Sequence, residues 1–362
     1  MATFRILLTP GDGIGPEVLE ESLKVLSRIE KRFKHEFQYE EEVIGGASID
    51  KHGVALRPEV IAKAKASAAV LFGAVGGPKW DNPKATVRPE DAILGMRKQL
   101  GLFANLRPVK IHPEMIGEST LKPDVLGGVD MVVIRELTGG LYFGRPQKRW
   151  ENSRGRQGVD TLRYSEKEVE RVCHVAFQLA GQRKKKVTSV DKANVLRTGQ
   201  LWREIATEVG KQYPDIELEH ILVDACAMYL VRRPASFDVI VTENMFGDIL
   251  TDEAAMLAGS MGMMPSASLG QRNKNGTGIG LYEPIHGSAP DITGLKKANP
   301  LAMILSAAMM LRLSLGLESE AAAIEEAVDA VIKDGYRTPD IAGNGATVVD
   351  TVKMGTLVAE RL

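Results

Sequence analysis

The chain has 362 residues, of which 44% are hydrophobic and 26% charged, and its formal net charge is −1. A chain of this length can bury a large core and has room for two domains. The near-neutral charge argues against a nucleic-acid or anionic-membrane partner and points to a small molecule, and no apolar run reaches the ~18 residues of a membrane span.

The start, MATFRILLTPGDGIGPE, carries neither a hydrophobic signal core nor an Arg/Ser-rich transit stretch, so a cytoplasmic location is expected. Phe4 to Leu8 reads as a short apolar strand. A Gly-rich turn over Pro10 to Gly15 follows, and then a helix from about Pro16 to Phe33. Ala68 to Phe72 is a second buried-strand candidate and ends in Gly73-Ala74-Val75-Gly76-Gly77-Pro78. Asp130 to Arg135, Lys186 to Val190 and Asp238 to Val241 continue the series. The stretch from Gly139 to Arg163 is polar, aromatic and Gly-rich and breaks the alternation, as an arm or clasp would. Arg183 to Lys186 is a short basic run that reads as a solvated loop. Ala298 to Leu317, rich in Met and Ala and interrupted by Pro300 and Arg312, reads as a buried helix. Cys173 and Cys226 form no CxxC pair, which speaks against a zinc ribbon or disulfide framework and fits a reducing compartment. Repeated strand–loop–helix units predict an α/β fold with a substantial parallel sheet. No long linker separates two halves, so two domains would be interleaved.

Five groups of residues can carry chemistry. Gly11-Asp12-Gly13-Ile14-Gly15-Pro16-Glu17 follows a strand and opens a helix, but GxGxG is not the GxGxxG dinucleotide fingerprint; a tight strand–helix turn fits it better. Asp248 and Asp252 lie four apart and share a face if their segment is helical. They either hold a hard divalent ion such as Mg2+ or Mn2+ or form an acidic helix start favoured by the dipole, and both readings stand on these residues alone. Asp224 closes an apolar run and is a third ligand candidate. Arg97, Arg107 and Arg135 adjoin apolar segments, where a guanidinium can grip a carboxylate or form a surface ion pair. Lys192 and Tyr142 are candidates for proton transfer, with a surface lysine and a packing tyrosine as the plainer readings. Gly280 to Ile292, followed by Asn299, is dense in Gly, Pro and polar groups and resembles an adenosine-binding loop: His286 can stack on adenine, and Asp291 can accept ribose hydroxyls and repel a 2′-phosphate, which favours NAD.

The segments VGGPKWD (75–81), ELTGGLYFGRP (136–146), DKANVL (191–196), ENMFGDILTDEA (243–254) and GLYEPIHGSAPDI (280–292), taken in this order, resemble the β-decarboxylating dehydrogenase family of isocitrate, isopropylmalate, homoisocitrate, tartrate and D-malate enzymes. The resemblance spans essentially the whole chain. It implies a fold that is not Rossmann: two interleaved α/β domains sharing a long mixed sheet. The cofactor-binding domain would be 1–102 plus 257–362. The substrate and dimerisation domain would be 103–256, with the arm at about 139–163. It also implies a homodimer whose active site is completed across the interface, and an NAD-dependent oxidative decarboxylation of a hydroxy acid assisted by Mg2+ or Mn2+.

Matched residue by residue, the resemblance places Arg97, Arg107 and Arg135 on the substrate carboxylates, with Val195 also beside the substrate. Asp224, Asp248 and Asp252 would bind the metal, Asp224 coming from the second subunit. Lys192, also from the second subunit, would help deprotonate the hydroxyl, and Tyr142 would protonate the enol carbon after CO2 leaves. NAD would be held by Gly77, Pro78, Glu90, Glu283, His286, Gly287, Ser288, Ala289, Pro290, Asp291 and Asn299.

Substrate choice would rest on Glu90, Ile93 and Leu94. An isocitrate enzyme needs polar groups there for a third carboxylate, whereas Ile93 and Leu94 offer apolar contact suited to an isopropyl group. The family's more usual pair is two leucines, a change of similar volume. The expected reaction is therefore the conversion of 3-isopropylmalate to 4-methyl-2-oxopentanoate and CO2 in leucine biosynthesis. A sibling acting on tartrate or D-malate is the near rival. A non-catalytic regulatory subunit would have lost aspartates or the lysine, and none is missing here.

Overall fold

The computed structural model describes residues 3–119, 121–273 and 276–362. The chain begins with β1 (Thr3–Gly11), α1 (Gly15–Phe33), β2 (Glu36–Glu41), α2 (Gly45–His52), α3 (Pro58–Ala66), β3 (Ala69–Ala74) and α4 (Asp91–Gln99). Its middle holds β4 (Ala104–Lys110), the single turn α5 (Pro123–Leu126), β5 (Asp130–Glu136), β6 (Lys148–Asn152), β7 (Gly155–Val159), α6 (Glu166–Gly181), β8 (Lys186–Asp191), α7 (Arg197–Gly210), β9 (Glu217–Leu222), α8 (Val223–Arg232), β10 (Val239–Thr242) and α9 (Asn244–Ala255). The end holds β11 (Pro265–Leu269), β12 (Gly280–Pro284), α10 (Leu301–Leu313), α11 (Glu318–Lys333), β13 (Tyr336–Arg337), β14 (Thr347–Val348) and α12 (Thr351–Glu360). The α/β class expected from the alternation is what the chain adopts.

Two compact units result. The first takes Met1–Leu102, His112–Thr120 and Ala258–Leu362, and the second takes Phe103–Ile111 and Leu121–Leu257. In the first unit the strands run in the order β2-β1-β3-β12-β11. β1 pairs in parallel with β2 and β3, β3 in parallel with β12, and β11 runs antiparallel to β12. All six residues of β3 and all five of β12 are buried, as expected of strands covered on both faces. The core of this unit joins Leu7, Val70, Phe72 and Leu281 of the strands to Val60 of α3 and to Ala92, Ile93 and Met96 of α4.

The second unit has the order β4-β5-β10-β8-β9, with β4 antiparallel to β5 and the others parallel. Val132 to Ile134 and Val239 to Val241 are near-continuous apolar runs and are buried. Phe177 of α6 and Trp202 of α7 close the core. Helix α6 starts on a capping box: the Ser165 amide and hydroxyl both donate to Glu168 Oε2, each at 2.7 Å. Within the expected arm, β6 and β7 form an antiparallel hairpin.

Two local readings are corrected. Asp224 does not close a strand: β9 ends at Leu222, and Asp224 sits in the first turn of α8. The adenosine-loop segment is not loop throughout, because its first five residues are the buried strand β12.

Candidate active site

In the second unit the C-terminal ends of three neighbouring parallel strands deliver polar groups. β5 delivers Arg135, β8 ends at Asp191 just before Lys192, and β10 leads through Glu243 into α9. Ligands in open α/β sheets bind at such ends. Helix α9 does carry Asp248 and Asp252 on one face, as the spacing predicts. Arg107 of β4 lies 3.8 Å from a carboxylate oxygen of each. It is buried; its Nε donates to Asn105 Oδ1 at 2.7 Å and its Nη1 donates to the Thr251 hydroxyl. Arg135, 2% exposed, donates from Nε to Asn244 Oδ1 at 2.9 Å and from Nη1 to Asp248. Two guanidiniums are thus locked side by side by short polar neighbours, with Asp248 as their shared carboxylate.

Tyr142 completes this cluster. Its hydroxyl donates to Asp248 Oδ2 at 2.8 Å, and its ring lies 5.6 Å from the Arg135 guanidinium carbon. Burial, followed by the hydrogen bond to Asp248, pushes the phenol up to about 12, so it stays protonated at neutral pH. Asp252 is also raised, chiefly by burial, with Arg107 opposing and Asp248 adding repulsion.

Lys192 and Asp224 form a separate pair at 2.6 Å. That contact is the main reason Asp224 is held below its ordinary value. Val195 next to them is exposed. Among the described residues no three His, Cys, Asp or Glu side chains gather as a metal site, so Asp224 does not join Asp248 and Asp252 within one chain.

The supports of this cluster had no role in the sequence reading. Glu136 is fully buried, accepts from the Thr138 and Gly139 amides, and so shapes the start of the loop that carries Tyr142; burial raises its carboxyl, and those bonds resist the rise. Asn244 donates from its side-chain Nδ2 to the Gly139 carbonyl and from its backbone amide to the Tyr164 hydroxyl. Glu243 caps α9 by accepting from the Phe246 amide at 2.9 Å. Burial raises Glu243 too. Only the position of Glu243 and Asn244 directly after an apolar strand could have pointed to them.

Gly247 lets α9 press on β5. A Cβ there would lie 2.7 Å from both Cβ and Cγ of Arg135, whose guanidinium is already fixed. Gly→Ala inside a helix normally gains up to about 1 kcal/mol. Here the clash should win, and Gly247→Ala should destabilise the protein by about 1–3 kcal/mol. Denaturant unfolding checks this, and a raised midpoint would refute the tight contact.

In the first unit, Arg97 is buried and donates to Glu283 at 2.8 Å, while its Nε is buried with no partner among the described residues. Ile93, 9% exposed, is part of the core, whereas Leu94 is half-buried and packs against that core. Glu90 is exposed just ahead of α4. A cleft of about 430 Å3 is lined by Gly77, Pro78, Trp80, Glu90, Ser288 and Pro290, among others. His286 Nδ1 meets the Gly287 carbonyl at 2.9 Å, and its Nε2 is buried with no partner among the described residues. Burial lowers its pKa, which favours the neutral ring. Gly287 and Asp291 are exposed, and Ala289 has a φ of 40°. Asn299 is committed locally: its Oδ1 accepts from the Leu301 amide at 3.0 Å and its Nδ2 donates to Asp340 at 3.1 Å.

The isocitrate/isopropylmalate dehydrogenase family model matches residues 5–358. The chain belongs to this family. It is 58% identical over 359 residues to a 3-isopropylmalate dehydrogenase of Dehalococcoides mccartyi, covering 99% of this chain and 98% of that protein. It is 60% identical over 343 residues to the Anaeromyxobacter dehalogenans protein of the same name, covering 95% and 96%. Among solved structures, an isocitrate dehydrogenase from Methylococcus capsulatus superposes with a TM-score of 0.86 at 35% identity, covering 99% of both chains. No described helix is long and apolar enough to cross a membrane.

Proposed function

We propose that the chain is an NAD-dependent 3-isopropylmalate dehydrogenase, which oxidises and decarboxylates 3-isopropylmalate to 4-methyl-2-oxopentanoate and CO2 in leucine biosynthesis, with Mg2+ or Mn2+. The observation that carries the reading is the cluster of Arg107, Arg135, Tyr142, Asp248 and Asp252, in a chain whose relatives at 58% and 60% identity bear that name.

The donor sets fit the two groups this reaction needs. Asp248 and Asp252 offer the carboxylate oxygens a hard divalent ion takes, and the partner subunit's Asp224 supplies a third. For NAD, the unpartnered His286 Nε2 and the cleft beside Ser288 supply a polar contact and room, and the exposed Asp291 disfavours a 2′-phosphate. When bound, NAD supplies a hydride acceptor and the metal supplies Lewis acidity. The chain's own groups do the rest. Arg97, Arg107 and Arg135 hold the substrate carboxylates; the free Nε of Arg97 is suited to one. Lys192 of the partner subunit helps take the hydroxyl proton. Tyr142, kept neutral, gives a proton to the enol carbon once CO2 has left. Leu94 rather than the core residue Ile93 presents most of the apolar surface to the isopropyl group.

A homodimer fits the same reading. Met228 and Val231 of α8, and Ile249 and Met256 at α9, are large apolar side chains left exposed, and α8 packs against α9. Such a patch is what a self-complementary interface buries. Steady-state assays with NAD and Mn2+ test the substrate. The kcat/KM for 3-isopropylmalate should exceed those for D-malate, tartrate and isocitrate by about tenfold or more. A ratio favouring malate overturns the assignment.

A further inference from the structure

The GDGIGPE turn is left without a role by the reaction above, yet it is bonded to two segments that line or adjoin the cleft. Asp12 is buried, and three backbone amides donate to its carboxylate. Gly46 and Gly76 donate to Oδ2 at 2.7 and 2.9 Å, and Ala47 donates to Oδ1 at 2.8 Å. Gly76 immediately precedes Gly77 and Pro78, which line the cleft. Two residues on, the Ile14 amide donates at 2.9 Å to the carbonyl of Ser288, another residue that lines the cleft. Gly13, at φ +61°, permits this approach: a Cβ there would sit 2.0 Å from the Ser288 carbonyl oxygen. Glu17 then accepts from the Gly294 amide at 2.5 Å, just beyond the same loop.

A turn built only to connect β1 to α1 needs none of these bonds. A carboxylate that accepts three amides is a rigid anchor, because charge-assisted bonds to backbone are strong and fix their donors. We infer that residues 11–17 are the positioning element that sets the spacing of the cofactor cleft, with Asp12 holding the Gly76–Pro78 wall and Glu17 bracing the segment after Ser288. This rests on the reading of that cleft as the NAD site. Neither residue need touch NAD; each acts through backbone that does.

Asp12→Asn keeps the shape but turns an amide NH2 or a weaker acceptor toward the donors. Isothermal calorimetry with NAD, steady-state kinetics, amide exchange and unfolding midpoints should be compared for wild type, Asp12→Asn and Glu17→Gln. Asp12→Asn should raise the Kd and KM for NAD about tenfold, the size usual for residues that orient direct ligands. The Gly76 amide should exchange faster, while KM for the hydroxy acid stays within about twofold. Glu17→Gln should act in the same direction by about threefold and loosen Gly294. A folded Asp12→Asn with a lowered unfolding midpoint but unchanged NAD affinity has only a packing role and overturns the inference. Should Asp12→Asn fail to fold, Glu17→Gln decides, and unchanged NAD affinity there overturns it equally. Wild type that fails to bind NAD overturns the functional reading itself, an outcome distinct from variants that bind as wild type does.

Discussion

Asp248→Asn should lower kcat/KM about a thousandfold, as expected when a group that organises charge at a reacting centre is lost, and should leave the fold intact. The carboxylate receives Arg135, lies 3.8 Å from Arg107 and accepts the Tyr142 hydroxyl at 2.8 Å. Asparagine has nearly the same shape, so packing around α9 survives. It removes the one negative charge shared by two buried guanidiniums, and its NH2 cannot accept from either Arg135 or Tyr142. It also removes one of the two carboxylates offered to a divalent ion. Activity at high Mn2+ should therefore recover only in part. The check is steady-state kinetics across a Mn2+ series, with circular dichroism as the control. Activity within about tenfold of wild type would remove Asp248 from the centre of the site.

How much of this was legible in sequence varies by element. The buried parallel strands β3, β5 and β10 announced themselves as apolar runs, because strands covered on both faces carry apolar residues nearly throughout. The pairing of Asp248 with Asp252 needed only helical spacing. Strand β2, EFQYEE, was not legible: it lies at the end of its unit's strand order, with one strand neighbour, and an edge strand need not be apolar. Strand β12 was hidden because glycine and proline bracket it, though all five residues are buried. The boundary at Asp224 misled because Leu222 and Val223 are apolar on both sides of the switch from strand to helix.

Within the site, the arginines proposed to hold substrate are long and charged and stand out. Those that hold them do not. Thr251 and Asn105 anchor Arg107, and Asn244 anchors Arg135, yet each is an ordinary polar residue until its buried partner is known. The Arg97–Glu283 pair joins residues 186 apart in the chain, and no local pattern reveals it. Family resemblance supplied what spacing could not: it linked segments that lie far apart in the chain.

The largest test of shared active sites is a mixing experiment. Lys192 reaches Asp224 at 2.6 Å in its own chain, while Arg107, Arg135 and Tyr142 gather on Asp248. If the base comes from the second subunit, Lys192→Gln and Asp248→Asn damage different chains of the same site. Lys192→Gln alone should cost about 10²–10⁴ in kcat, the usual contribution of a positioned proton acceptor. A hybrid dimer with one chain of each kind holds one site with both defects and one with neither. Random pairing makes half of the dimers hybrids, so a mixture of the two unfolded variants, refolded together, should regain about a quarter of wild-type activity. Variants refolded separately and then mixed should regain it only as subunits exchange. No recovery in verified hybrids would place Lys192 and Asp248 in the same chain's site and would require each subunit to complete its own chemistry.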